Sequence, residues 1–148
     1  MSQNTIEEFL TAQEEQDVIN AIRLAEQHTS GEIRVHIENT CNGNAEKRAL
    51  EVFSILKMHN TEQHNAVLFY VAVSSKSFVI YGDKGIAKKA PNGFWDSTKH
   101  ILETHFKSHN FKDGLVAGIT KAGEQLKEHF PWSSNDTNEL PNSISKGE

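Results

Sequence analysis

The sequence predicts an α/β protein, a three-layer α/β/α sandwich around a mixed central β-sheet. Three observations predict it. The 148 residues suffice for one domain with a real core. Blocks of helical period and runs of β-prone residues follow one another in the order α-β-α-β-β-α-α. A single cysteine, Cys41, excludes an internal disulfide framework and any cysteine-rich zinc module, so packing must hold the fold.

The elements follow in order. Residues 1–10 form an N-terminal segment, residues 11–132 the domain and residues 133–148 a C-terminal tail. Thr11-Ala12-Gln13-Glu14 is a capping box and opens a helix over Ala12–His28, with Val18, Ile22 and Ala25 on one stripe. Gly31 ends it by taking a positive φ. Glu32–Glu38 alternates strictly: Ile33, Val35 and Ile37 face one way, Glu32, Arg34, His36 and Glu38 the other. That pattern predicts a strand with one wetter face, near an edge of the sheet. Ala49, Val52, Phe53 and Leu56 set a helix over Ala45–Met58, with Asn44 as N-cap. Ala66–Val73 is almost wholly apolar and reads as a central strand covered on both faces; Lys76–Tyr81 pairs with it as a hairpin. Gly82-Asp83-Lys84-Gly85 breaks the strand with two flexible positions, and Ile86–Gly93 reads as irregular. A helix runs from Phe94 or Trp95 to Ser108. Another runs from Asn110 to Phe130, with Leu115, Ile119, Ala122 and Leu126 on its stripe, and Pro131 stops it. The polar tail from Ser133 is flexible or lies extended on the domain.

Charge narrows the function classes. The net charge is -5 and the sequence pI about 5.9, the opposite of the basic face that nucleic-acid binding needs. Eight acids and two bases lie in residues 1–40, a solvated acidic helix or a cation-binding face. The N-terminus has no basic region followed by an apolar one, and the longest apolar run is far short of the roughly 20 residues of a membrane span. The expectation is a cytoplasmic protein without direct membrane insertion.

A right-handed parallel crossover between the first two strands, followed by a hairpin, brings the end of the third strand to the start of the first. Glu32 and Asp83 then share a neighbourhood, and Asp96, opening the next helix, can swing over that edge. With Ser30 and loop carbonyls these carboxylates suit Ca²⁺ or Mg²⁺, which take oxygen ligands. The structural alternative leaves Asp83 as a turn residue, Asp96 at a helix N-terminus and Glu32 as a solvated strand position. His105 and His109 stand four apart but lack the acidic partner of a zinc motif. Gly82–Gly85, with Lys84, Lys88 and Lys89, could also offer amides to a phosphate.

Several segments carry a resemblance. Thr29-Ser30-Gly31-Glu32-Ile33-Arg34-Val35, the apolar strand Ala66–Val73, Tyr81-Gly82-Asp83-Lys84-Gly85-Ile86, Phe111-Lys112-Asp113-Gly114-Leu115 and His129-Phe130-Pro131 stand in the order found in TPM domains. The chain resembles that family over about residues 10–131, and its Asn138-Glu139-Leu140-Pro141 is similar to the tail of small bacterial members. The resemblance implies an α/β/α sandwich with a mixed sheet. The family includes a thylakoid lumen protein tied to photosystem II repair, for which acid phosphatase activity and calcium binding have been proposed. It also implies a membrane-associated TPM relative as one partner. Many members carry an acidic residue within the stretch Ala87–Asn92; here Asn92 stands instead and Asp96 is the nearest substitute. The leading expectation is a non-enzymatic domain binding divalent cations through Ser30, Glu32, Asp83 and Asp96. The rivals are a metal-assisted phosphatase and a scaffold for a protein partner.

Overall fold

The computed structural model describes residues 9–132 and 140–147. Its elements are α1 (Ala12–Glu26), β1 (Glu32–Glu38), α2 (Ala45–Ile55), β2 (Ala66–Ala72), β3 (Ser77–Gly82), α3 (Lys84–Lys89), α4 (Asp96–Lys107), α5 (Phe111–His129) and β4 (Ser145–Lys146). The sheet order is β3-β2-β1-β4, with β1 parallel to β2 and β4, and β2 antiparallel to β3. Two cores result. Ile33, Val35 and Ile37 of β1 and Val67, Phe69 and Val71 of β2 pack under α1, α4 and α5. Ala66, Leu68, Tyr70 and Ala72 pack under α2, with Leu140 of the tail. This is the three-layer sandwich around a mixed sheet, each strand of the central pair feeding alternate side chains to opposite layers.

The helices form where their stripes and caps direct. The Thr11 hydroxyl accepts from the Glu14 amide at 3.1 Å, and the Glu14 carboxylate accepts from the Thr11 amide at 2.9 Å. Leu115, Ile119, Ala122 and Leu126 of α5 are fully buried, each apolar side chain stabilising the layer by about 1.5–3 kcal/mol for the larger residues.

Three expectations need correction. β1 has no wetter face: all seven of its residues are buried, and the two-residue β4 pairs with it only along His36 and Ile37. The end of the tail supplies β4, so residues 145–146 lie extended against the domain; residues 133–139 and 148 fall outside the described residues. Ile86–Gly93 is not irregular throughout, because the Asp83 carboxylate caps a short α3 that runs to Lys89. Gly31 does not take a positive φ; α1 ends earlier, at Gln27. Among the described residues no helix is long and apolar enough to cross a membrane.

Candidate functional site

Register places the expected residues at one end of the sheet. Glu32 pairs with Ala66 and Val67 with Gly82, and the Asp83 amide donates to the Ala66 carbonyl at 2.9 Å. Glu32, Ala66 and Asp83 thus form one row across three strands. The loop leading into β2 fills the space before that row and is held from both sides. On one side the Ser30 hydroxyl oxygen accepts from Gln63 Nε2 and Asn65 Nδ2, each at 3.1 Å. On the other the Gly85 amide donates to the His64 carbonyl at 2.8 Å. A Cβ on Gly85 would stand 2.2 Å from the Gln63 carbonyl oxygen and 2.4 Å from that of His64, so only glycine allows this approach.

Two oxygens at this junction lack donors. Asp83 Oδ1 accepts from the Lys84 amide at 2.8 Å, but its buried Oδ2 has no hydrogen-bond partner. His64 Nδ1 lies 3.5 Å from it, is likewise buried, and makes no hydrogen bond to it. Asn65 Oδ1 is the second, in a side chain that is 1% exposed. Buried polar atoms are paired as a rule, and each unpaired one costs about 1–3 kcal/mol. Oxygens are the ligand atoms that hard cations prefer. These two do not suit a phosphate, whose place at the α3 N-terminus the Asp83 carboxylate already occupies.

The other two expected residues are engaged elsewhere. Glu32 is buried, and its Oε1 accepts from the Leu140 amide at 3.0 Å. Nearby, Glu26 accepts from the Ile33 amide at 2.8 Å; burial lifts its carboxyl to about 8, with Glu32 adding repulsion and the Ile33 amide opposing. Asp96 opens α4, which packs on the same core as α3. It is exposed and shares a cavity of about 360 Å³ with Gly82, Ile86 and Pro91 that Asp83 does not line. Among the described residues no three His, Cys, Asp or Glu side chains are grouped to hold a metal ion.

A second polar cluster, which the sequence did not reveal, lies at the carboxyl end of β1. Glu38 accepts from Arg48 Nε and Nη2 at 2.9 and 3.0 Å, pairs with His36 Nε2 at 2.9 Å and accepts from the Tyr70 hydroxyl. His36 Nδ1 reaches Ser145 Oγ in the tail at 2.9 Å. Burial alone would raise the Glu38 carboxyl; the hydrogen bonds from Arg48, Tyr70 and His36 outweigh it and hold the group at about 2. Burial lowers His36 and raises Tyr70, while Glu38 raises Arg48. The arrangement is an ionised carboxylate held jointly by Arg48, Tyr70 and His36. It lines an open cleft of about 720 Å³ with Thr40, Cys41 and Lys47. The one available signal was the run Arg34, His36, Glu38 on a single strand face; the partners come from β2, α2 and β4.

Comparison with known proteins places this fold. The TPM domain matches residues 4–125. No curated protein is similar to the chain. The solution structure of the BA42 protein from the psychrophilic bacterium Bizionia argentinensis is 56% identical, and the alignment covers 99% of this chain and 100% of that one at a TM-score of 0.91. With more than four-fifths of its length matched and the sandwich in place, the chain belongs to the TPM domain family.

Proposed function

We propose that this TPM domain binds a divalent cation, Ca²⁺ or Mg²⁺, at the junction between the loop before β2 and the start of α3. One observation carries the reading: Asp83 Oδ2 and Asn65 Oδ1 are both buried and both without a donor. A hard cation would satisfy both, with Ser30 beside them and water completing its coordination. Glu32 lends negative charge one strand pair away, and Asp96 stays outside the proposed set. The Asp83 cap and the Gly85 contact give the cation a structural effect, since both its donors belong to segments that meet there.

Titration with CaCl₂ or MgCl₂, followed by amide chemical shifts, tests this. The expected result is saturable movement of Ser30, Asn65 and Asp83–Gly85, with a rise in Tm that Asp83→Asn abolishes. Silence of those amides up to millimolar metal removes the proposal. Metal-dependent turnover of an aromatic phosphate ester, lost in Asp83→Asn, would turn the binding site into a hydrolase centre.

A further inference from the structure

Far from that junction, the β2–β3 hairpin leans toward α4 and leaves a half-open groove of about 480 Å³. Phe9, Phe78, Phe106 and Phe111 wall it, half of the chain's eight phenylalanines. Their rings meet edge-on or tilted, with centroids 4.3 Å apart for Phe9 and Phe111, 5.5 Å for Phe106 and Phe111, and 5.6 Å for Phe78 and Phe106. Phe9 is buried, but the other three keep part of their surface uncovered. The volume falls within the roughly 300–1,000 Å³ typical of small-ligand pockets, and an aromatic lining with polar groups confined to the rim is their usual make-up.

The rim decides the ligand's charge. Among the described residues, Lys76, Lys107 and His109 line it against one carboxylate, Glu103. In a chain of net charge -5, the described residues make this mouth locally positive. Neither lysine takes part in an ion pair among the described residues. An apolar slot with two uncommitted ammonium groups at its opening complements a molecule with an apolar body and a single anionic end. The geometry points to a binding site for a free amphiphilic carboxylate, a medium-chain fatty acid or an arylalkanoate, its chain against the four rings and its carboxylate at Lys76 and Lys107. The site is independent of the cation junction and shares no residue with it.

Sodium octanoate and uncharged octan-1-ol, titrated separately into ¹⁵N-labelled full-length protein, test it. Octanoate is expected to move the amides of Val73, Phe78, Phe106 and Lys107 saturably. The double variant Lys76→Gln/Lys107→Gln should weaken octanoate by about five- to tenfold and leave octanol within twofold. Glu103→Gln, which removes the one repelling charge from an exposed position, should tighten octanoate by about two- to fivefold. No saturable shift at those amides overturns the inference. So does an equal loss of octanoate and octanol in the lysine variant. Shifts that follow protein dilution rather than octanoate would assign the groove to a second copy of the chain and overturn it as well.

Discussion

Glu38 is the residue on which most depends locally, because its carboxylate is the common acceptor for side chains from β1, β2 and α2. The partners are not equivalent. The carboxylate is 2% exposed, whereas the Arg48 side chain is 32% exposed and can return to water when its partner is lost. Tyr70 and His36 have no such exit. Glu38→Ala is therefore expected to destabilise the protein by about 3–5 kcal/mol, since it leaves buried donors unpaired. Arg48→Ala is expected to cost less, about 1–2 kcal/mol, because Tyr70 and His36 remain on the carboxylate. Urea denaturation of the two variants checks the order; equal losses would mean that the arginine, not the carboxylate, organises the cluster. The cluster escaped sequence reading for a physical reason. Tyr70 meets His36 through strand register, His36 opposite Tyr70, and no local pattern encodes that pairing.

At the scale of elements, what was legible was what local physics controls. Thr11 and Glu14 announced the start of α1, and the alternation of Glu32–Glu38 assigned each β1 side chain to its correct layer. The same alternation predicted a wetter face that β1 does not have, because polar residues on one face usually mean water. Here α2 and the tail cover that face, and β4 is two residues in a polar stretch with no β signal of its own. Topology also brought Ser30, Glu32 and Asp83 to one end of the sheet from sequence alone. It did not bring Asp96 into that group: Asp96 is exposed and lines a separate cavity with Gly82, Ile86 and Pro91. The tail's attachment is specific. Gly147 donates to the Ile37 carbonyl at 2.8 Å, and a Cβ on it would lie 2.6 Å from Glu38 Oε1 and 2.8 Å from Glu38 Cβ. Gly147→Val should lift β4 from β1 while the remaining sheet persists. Hydrogen exchange should show the Gly147 amide losing protection while the β2 amides keep theirs. Unchanged protection at Gly147 would show that the strand tolerates a side chain there. Gly85→Ala tests the other junction: with carbonyl oxygens 2.2 and 2.4 Å from the new methyl, α3 must move away from the loop, at a cost of about 2 kcal/mol or more, read as a lower urea midpoint.

For the molecule as a whole, the buried ionisable groups set opposing slopes of stability against pH. Glu38 is held at about 2 against its ordinary 4.5, so its contribution is complete above pH 4.5 and is lost as pH falls toward 2. His36 is depressed below its ordinary 6.5 by burial, so the folded state resists its protonation, and stability also falls as pH drops below 6.5. Glu26 acts in the other sense. Its carboxyl is raised from 4.5 to about 8, so the folded state holds a proton that the unfolded chain releases, and stability declines as pH rises from 4.5 through 8. Between pH 4.5 and 6.5 the His36 and Glu26 slopes oppose one another, while the Glu38 contribution levels off as the unfolded carboxyl finishes ionising. The stability maximum is thus expected as a plateau in that mildly acidic interval, with a decline on the alkaline side that begins by pH 7. Glu26→Gln keeps an acceptor for the Ile33 amide and removes the ionisation. It should abolish the alkaline decline and raise Tm at pH 8 by roughly 3–6 °C, while leaving the acid limb at pH 3 in place. Thermal denaturation from pH 3 to 9 on both proteins decides it: an alkaline limb that survives Glu26→Gln would locate the titrating group elsewhere and remove Glu26 from the account.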